Sequence, residues 1–384
     1  MSEAKSSKKK AIVLGAGMVG SAIARDLAET AGLDVHIADA RPEGLSRVRK
    51  SAPVEVHQLD LSNADVVRKL VRGFDLAIGA LPSVIGLSSV RACLEAGADV
   101  VDISFMPEDA RVLDPVAREH GVTAITDCGV APGLSNMMAT SAAGDFDVCE
   151  RVEISVGGLP AVRKWPFNYK AGFAPWDVLE EYTRPARIVE SGKVETREAM
   201  SGLELVDIPE VGTLESFITD GLRSLADTLK VPFMQERTLR WPGHVEQMKL
   251  FRETGLFSLE PIEVAGTKLR PRDFLAALLF PKWTFDEGEA DITVMRVRAW
   301  GVRENTNRTI TYDFLDRFDA RSGIRSMSRS TGFTATAVAR LLLDGGFKRP
   351  GVHAPEVLSH EAGALERVID DLKARGIRVE RRID

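Results

Sequence analysis

Cysteine is scarce. Cys93, Cys128 and Cys149 are the only three in 384 residues, an odd number with no Cys-x-x-Cys pair. That excludes a disulfide scaffold and a cysteine-built zinc site, and it fits a reducing compartment, so a cytoplasmic location is expected. Histidine is sparse too: its six copies lie far apart in the chain with no His-x-x-x-His or similar pair, so no metal is expected. No apolar run reaches membrane-spanning length, and no export-type apolar segment follows the polar start and Lys8-Lys9-Lys10. Neither a membrane partner nor a targeting signal is therefore expected, and the start reads as a frayed, solvated tail leading into the first strand. Positive charge is not in excess either. A formal net charge of −6 argues against nucleic acid as the main partner. Internal repeats and low-complexity linkers are missing as well. What remains is an ordinary globular composition in a chain long enough for two domains, or for one with a large insertion.

The most informative stretch is residues 10–39. An apolar run, residues 11–14, stops at Gly15-Ala-Gly-Met-Val-Gly20 and gives way to helical spacing, with Met18, Ala22, Ile23 and Leu27 on one face; a second strand then closes on Asp39. Strand, tight turn, helix and strand form one parallel βαβ unit. Gly15 allows the sharp turn, Gly17 lets the backbone approach a pyrophosphate, and Gly20 lets the helix lie close to the strand. Met18 and Val19 open the helix whose positive end faces the phosphates. Asp39 is placed to hydrogen-bond a ribose, which favours NAD, whereas Arg41 two residues on leaves NADP possible.

Alternation continues through strands at 54–59, 75–79, 99–103 and 122–126, with helices at 63–72, 87–96 and 109–120. This is a doubly wound α/β (Rossmann) dinucleotide domain over residues 1–130, with its ligand beyond the carboxyl ends of the strands. That rule brings Ala80-Leu81-Pro82, Asp102-Ile-Ser and Asp127 to Gly133 to the cofactor. Residues 131–331 lack the alternation. Strands are expected at 150–157, 186–189, 214–219, 238–241, 292–302 and 308–314, and helices at 175–181, 222–229, 245–254 and 271–279. The last two strands flank Glu304-Asn-Thr-Asn307, a hairpin turn signal. This part reads as an α+β domain on an open, largely antiparallel sheet, serving substrate binding, catalysis and oligomerisation. Its free face suits a homodimer or a dimer of dimers. Two tail helices, 332–343 and 361–375, are expected to return the segment 332–384 to the dinucleotide domain.

Several later segments carry a resemblance: Asp127-Cys-Gly-Val-Ala-Pro-Gly-Leu-Ser-Asn136, Gly157-Gly-Leu-Pro, Trp165-Pro-Phe-Asn-Tyr-Lys170, Glu180-Glu-Tyr-Thr-Arg-Pro-Ala186, Thr219-Asp-Gly-Leu-Arg223 and Leu239-Arg-Trp-Pro-Gly-His244. Together they make the chain similar to the saccharopine dehydrogenase family, most closely its lysine 6-dehydrogenase-like branch. The resemblance implies a nicotinamide dinucleotide domain, an α+β catalytic and oligomerisation domain, and hydride transfer at a carbon bearing an amine. Two positions depart from the glutamate-forming members: Ala131 stands where they have Asp before Pro-Gly, and Val156 stands where they have Cys before Gly-Gly-Leu-Pro. The departures point away from saccharopine and toward a primary amine such as the ε-amine of lysine.

Amine oxidation needs a base to free the amine, since only the neutral amine releases hydride to the nicotinamide, and an amino acid substrate needs a cation for its carboxylate. Lys170, after Tyr169 in an aromatic stretch, is a candidate base and equally a surface lysine at a strand edge. His244, after Pro242-Gly243, is a second candidate, with a helix cap or a core position as the plain alternatives. Arg240 before Trp241 suits a substrate carboxylate or an ordinary ion pair. Asp102 ends the fifth strand and suits a substrate ammonium or a loop cap. Asp220-Gly221 reads as a turn, a helix start or a substrate contact. Trp165, Phe167, Tyr169 and Phe173 alternate as a strand would, walling a slot for an alkyl chain or simply facing a core. Three functions follow. They are an NAD-dependent amino acid dehydrogenase with lysine first, a saccharopine-type enzyme acting on a secondary amine, and a non-catalytic redox sensor.

Overall fold

The structure, a computed structural model, describes residues 8–384; residues 1–7, the expected solvated tail, lie outside the described residues. The chain divides into two compact units, Met1–Met137 with Ser328–Gly376, and Met138–Met327 with Ile377–Asp384. No helix among the described residues is long and apolar enough to cross a membrane.

The first unit is built on a seven-stranded sheet, in the order Gly351–His353, Thr123–Ile125, Asp99–Asp102, Leu76–Gly79, Lys9–Leu14, Leu33–Asp39, Glu55–Gln58. Every neighbouring pair is parallel. The central strands are apolar runs because helices cover both faces: Ile12, Leu14, Ile37, Ile78 and Val101 have little or no exposure. Strand order reverses between Lys9–Leu14 and Leu76–Gly79, and in such sheets the crevice at that switch point takes the ligand.

The second unit carries a mixed sheet whose main path runs Glu204–Ile208, Gly212–Thr219, Phe233–Arg240, Val148–Pro160, Asp291–Arg303, Thr306–Arg317, Arg378–Ile383. Its pairs are antiparallel except Phe233–Arg240 with Val148–Pro160. The expected hairpin closes through Glu304 and Asn305, both left-handed (φ 51° and 59°), the geometry whose twist matches paired strands. Helices Pro175–Thr183, His244–Glu253 and Pro271–Trp283 contribute to an aromatic core around Tyr182, Phe217 and Trp283.

Two expectations change. The aromatic stretch 165–173 is not a strand. Asn168 turns left-handed at φ 50° and its N–H bonds Lys164 O (2.9 Å), so the chain reverses where a strand would stay extended. Trp165 is 88% exposed and cannot wall a slot, while Phe167 and Tyr169 both reach Trp283. The tail, expected to return whole to the dinucleotide domain, is split. Gly351–His353 extends the first sheet, whereas Arg378–Ile383 pairs with Thr306–Arg317 in the second.

Candidate functional site

In the first unit the glycine turn closes tightly on its surroundings. Gly15 has φ 109°, and a Cβ there would lie 2.3 Å from Ala80 O; a Cβ on Gly20 would lie 2.0 Å from Gly15 O. Gly17 differs, since nothing stands within 4 Å of its Cβ position. The protein itself leaves that space open at the N-terminus of helix Met18–Leu27, where backbone N–H groups and the helix dipole favour a phosphate. Met18 is 41% exposed and Val19 half-buried beside it. Asp39 ends its strand with both carboxylate oxygens positioned: Oδ2 accepts from Ala16 N (2.7 Å) and Oδ1 from Arg41 N (2.8 Å). Each oxygen keeps a lone pair for a ribose hydroxyl. The Arg41 side chain is 76% exposed, its Nε 3.6 Å from Asp39. Ala80, Leu81 and Pro82 follow strand Leu76–Gly79 and lead into helix Ser83–Glu95; Ala80 N bonds Leu14 O (2.9 Å), which ties this segment to the glycine turn.

Asp102 ends the neighbouring strand almost fully buried. Its carboxyl accepts from Ser104 N (2.8 Å) and Ser104 Oγ (3.2 Å), and it occupies the space a side chain on Gly79 would need. Burial, reinforced by Asp127, pushes it up to about 8 against the pull of the Ser104 hydrogen bonds. At neutral pH it is mostly an uncharged acid.

In the second unit one sheet face pairs Glu215 with Arg240, Phe217 with Thr238 and Thr219 with Glu236. Arg240 is 2% exposed. Its guanidinium pairs with Glu181, donates from Nε to Tyr182 Oη (3.1 Å) and from Nη1 to Leu239 O (2.9 Å), and lies 4.6 Å over the Tyr169 ring. His244 is fully buried, with Nδ1 2.9 Å from Phe167 O and Nε2 2.9 Å from Tyr182 Oη. Burial first, then Arg240, push its imidazole down to about 3, so it is neutral. A carbonyl only accepts, which puts the imidazole proton on Nδ1 and makes Nε2 the acceptor of the Tyr182 hydroxyl. The hydrogen bonds therefore run one way, from Arg240 to Tyr182 to His244 to the Phe167 carbonyl. Helix His244–Glu253 is capped by Glu215, which accepts from Gly243 N (2.9 Å) and Val245 N (2.6 Å), and not by His244.

Lys170 lies apart from this chain: Nζ donates to Thr284 O (2.6 Å) and sits 3.1 Å from Glu289 and 3.7 Å from Asp286. Burial would raise Glu289, but hydrogen bonds from Lys164, the Asp286 backbone and Lys170 outweigh it and hold that carboxylate at about 2. Asp220 accepts from Arg187 N, Nε and Nη2 at 3.0, 2.8 and 3.0 Å, a bidentate pair with a backbone bond added. Glu236 escaped the sequence reading. It is 4% exposed, takes a hydrogen bond from Thr219 Oγ1, and is pushed up to about 8 by burial and by Glu181 and Asp220. The signal for it was Gln235-Glu236-Arg237-Thr238 inside an otherwise buried strand.

Two family models cover the chain: "Saccharopine dehydrogenase NADP binding domain" at residues 11–125 and "Saccharopine dehydrogenase C-terminal domain" at residues 129–377. Mouse mitochondrial alpha-aminoadipic semialdehyde synthase is 23% identical over 97% of this chain and 47% of its own length. The chain thus spans about half the length of that relative. Saccharopine dehydrogenase [NADP(+), L-glutamate-forming] of Saccharomyces cerevisiae is 22% identical over 90% of this chain and 94% of its own. Carboxyaminopropylagmatine dehydrogenase of Synechocystis is 23% identical over 89% and 91%. Among solved structures, apo saccharopine dehydrogenase (L-Glu forming) from Saccharomyces cerevisiae shares the fold, with a TM-score of 0.81 at 20% identity over 98% of this chain and 100% of that one. The first unit is accordingly a nicotinamide-dinucleotide domain. With both models matched in order across nearly the whole length, the chain belongs to the saccharopine dehydrogenase family.

Proposed function

We propose that the protein is a nicotinamide-dinucleotide-dependent oxidoreductase acting on the C–N bond of an amino acid, and that it oxidatively deaminates the ε-amine of L-lysine to the semialdehyde. The observation carrying this reading is the match of both family domains on one chain, joined to an intact Gly15-x-Gly17-x-x-Gly20 turn. A bound nicotinamide dinucleotide would supply the hydride acceptor for the carbon bearing the neutral amine, and water would then release ammonia and the aldehyde. Gly15, Gly17, Met18, Val19 and Gly20 cradle the pyrophosphate, and Ala80 to Pro82 flank the switch-point crevice. Asp39 takes the ribose hydroxyls and its charge disfavours a 2′-phosphate, so NAD is preferred although the matching domain model is described as NADP binding.

Asp102 ends the strand beside that crevice, and on this placement we assign it proton transfer, although its carboxyl, raised to about 8, is held by Ser104 as Lys170 and His244 are held by their own partners. Lys170 and His244 have their polar atoms engaged by protein partners, and Arg240 already holds Glu181. We assign Arg240 and His244, with Tyr169, to holding the buried cluster around Tyr182 in shape, Lys170 to its separate ion pairs with Glu289 and Asp286, and Asp220 to its pair with Arg187. A second reading, oxidation of a secondary amine, is favoured by relatives named for saccharopine.

Reduced-cofactor absorbance with a panel of amino acids separates the readings. Lysine with NAD is expected to exceed saccharopine, and NAD to exceed NADP in kcat/KM. Turnover of saccharopine without lysine selects the second reading. Cofactor binding with no turnover on any amine selects a redox sensor. Asp102→Asn is expected to lower kcat with cofactor affinity nearly intact.

A further inference from the structure

A second polar cluster lies in the first unit, away from the glycine turn. His36 is in strand Leu33–Asp39, and Glu55 and His57 are in the edge strand Glu55–Gln58. The parallel register sets His36 beside Glu55 and Ala38 beside His57. Because side chains alternate along a strand, Asp34, His36, Glu55 and His57 share one sheet face. His36 Nδ1 is 2.9 Å from His57 Nε2, and Glu55 Oε2 is 3.9 Å from His36 Nδ1. One ligand atom from each of the three residues lies within 4.8 Å of the others. The cluster is three residues before Asp39, about 10 Å along the strand from the ribose position.

The His36 ring is 7% exposed, with the edge of Phe74 against it at a centroid distance of 4.8 Å. Its second nitrogen, Nε2, is buried without a hydrogen-bond partner among the described residues, and the nearest carboxylate oxygen, Asp34 Oδ2, is 3.3 Å away. A buried imidazole nitrogen without a partner is costly, so the proton on Nε2 is best directed at the Asp34 carboxylate. With the His36 proton on Nε2 facing Asp34, the Nδ1 lone pair points into the cluster, and His57 presents Nε2 by carrying its own proton on Nδ1. This is the carboxylate–histidine–metal arrangement in which an outer carboxylate orients a ligating imidazole.

We propose that His36, Glu55 and His57 bind a divalent transition-metal ion of the zinc class, with Asp34 orienting His36. Two imidazoles and a carboxylate form a three-ligand set that leaves a fourth position for water. Tetrahedral zinc at about 2.0–2.1 Å from each nitrogen spaces two ligand nitrogens about 3.3 Å apart. The two rings now lie nearly coplanar (9°, centroids 5.2 Å apart) with the nitrogens facing at 2.9 Å, so an ion requires that separation to open by a few tenths of an ångström and both rings to swing off the line between them. The ion would fasten the edge strand to the strand that ends in Asp39.

The test uses the full-length chain without a histidine tag, stripped with EDTA and then titrated with zinc chloride by calorimetry and thermal unfolding. One equivalent of zinc is expected to bind with micromolar or tighter affinity and to raise Tm. His57→Gln is expected to weaken binding by about tenfold or more. Glu55→Gln, at a position whose side chain is 66% exposed and so safe for folding, is expected to act in the same direction. Absence of stoichiometric zinc binding overturns the proposal, as does zinc affinity unchanged in His57→Gln. If that variant does not fold, unchanged affinity in Glu55→Gln overturns it.

Discussion

Gly17 and Gly20 stand three residues apart in one turn and lack side chains for different reasons. At Gly20 a Cβ would meet Gly15 O at 2.0 Å, so Gly20→Ala forces strand and helix apart. At Gly17 the Cβ would meet no protein atom, and the methyl would stand in the space where a pyrophosphate approaches. Gly17→Ala is therefore expected to keep Tm nearly unchanged while weakening NAD binding by about tenfold or more, whereas Gly20→Ala lowers Tm itself. Thermal unfolding beside cofactor titration distinguishes them, and equal loss of Tm in both would remove the argument for an open phosphate site. Tyr182 gives the matching case in the second unit. Its hydroxyl accepts from Arg240 and donates to His244, so Tyr182→Phe leaves two buried nitrogens unpaired at once. The expected loss is about 1–3 kcal/mol, read by denaturant unfolding. The glycine turn was legible because its three positions are a local pattern. The Tyr182 chain was not, because its members come from two helices, a strand end and a loop separated by up to 77 residues.

Among the elements, periodicity located most of the strands and helices, and it failed where a segment was short or its alternation had another cause. Gly351–His353 is three residues beside glycine and proline, too short to show a period. Helix Pro42–Ser51 begins three residues after Asp39 and is mostly polar, with only Gly44, Leu45 and Val48 buried, so its apolar stripe is thin. Arg378–Ile383 carries four charged residues in six, which reads as a solvated tail. In the fold that charge has a purpose. As the outer strand, it covers Thr306–Arg317 and offers a charged edge that resists pairing with other chains. Removing residues after Gly376 should uncover Thr306–Arg317, whose Ile310, Tyr312 and Phe314 are otherwise buried. The truncated chain is expected to aggregate, with an unfolding transition of the second unit lowered by several degrees and that of the first little changed. Size-exclusion chromatography with calorimetry reads both. A monodisperse truncated chain with unchanged transitions would make the strand dispensable.

For the whole molecule, buried ionisable groups set how stability follows pH, and each unit holds carboxyls whose ionisation burial opposes, Asp99 and Asp102 in the first and Glu181, Glu236 and Asp291 in the second. Asp102 in the first and Glu236 in the second are raised to about 8, chiefly by burial. Above its ordinary range the unfolded chain gives up the proton that the folded chain keeps. Each group's contribution is thus complete at acid pH and is lost as pH rises toward about 8, at no more than about 1.4 kcal/mol per pH unit. His244, lowered to about 3, works in the opposite sense: its contribution is present above its ordinary value near 6.5 and is lost as pH falls toward about 3. Glu289, held at about 2, adds to that acid limb below its ordinary value of 4.5. Between about pH 6.5 and about pH 8 only the two carboxyls are titrating among these four, and both oppose stability. Denaturant unfolding should therefore show each unit losing stability across that interval. Asn and Gln keep the shape of the neutral acids and cannot ionise, so Asp102→Asn should flatten the loss in the first unit and Glu236→Gln in the second. If Glu236→Gln loses as much stability as the parent chain over the same interval, Glu236 is already ionised in the folded state. The cluster around Arg240 would then carry one more negative charge than its burial allows for.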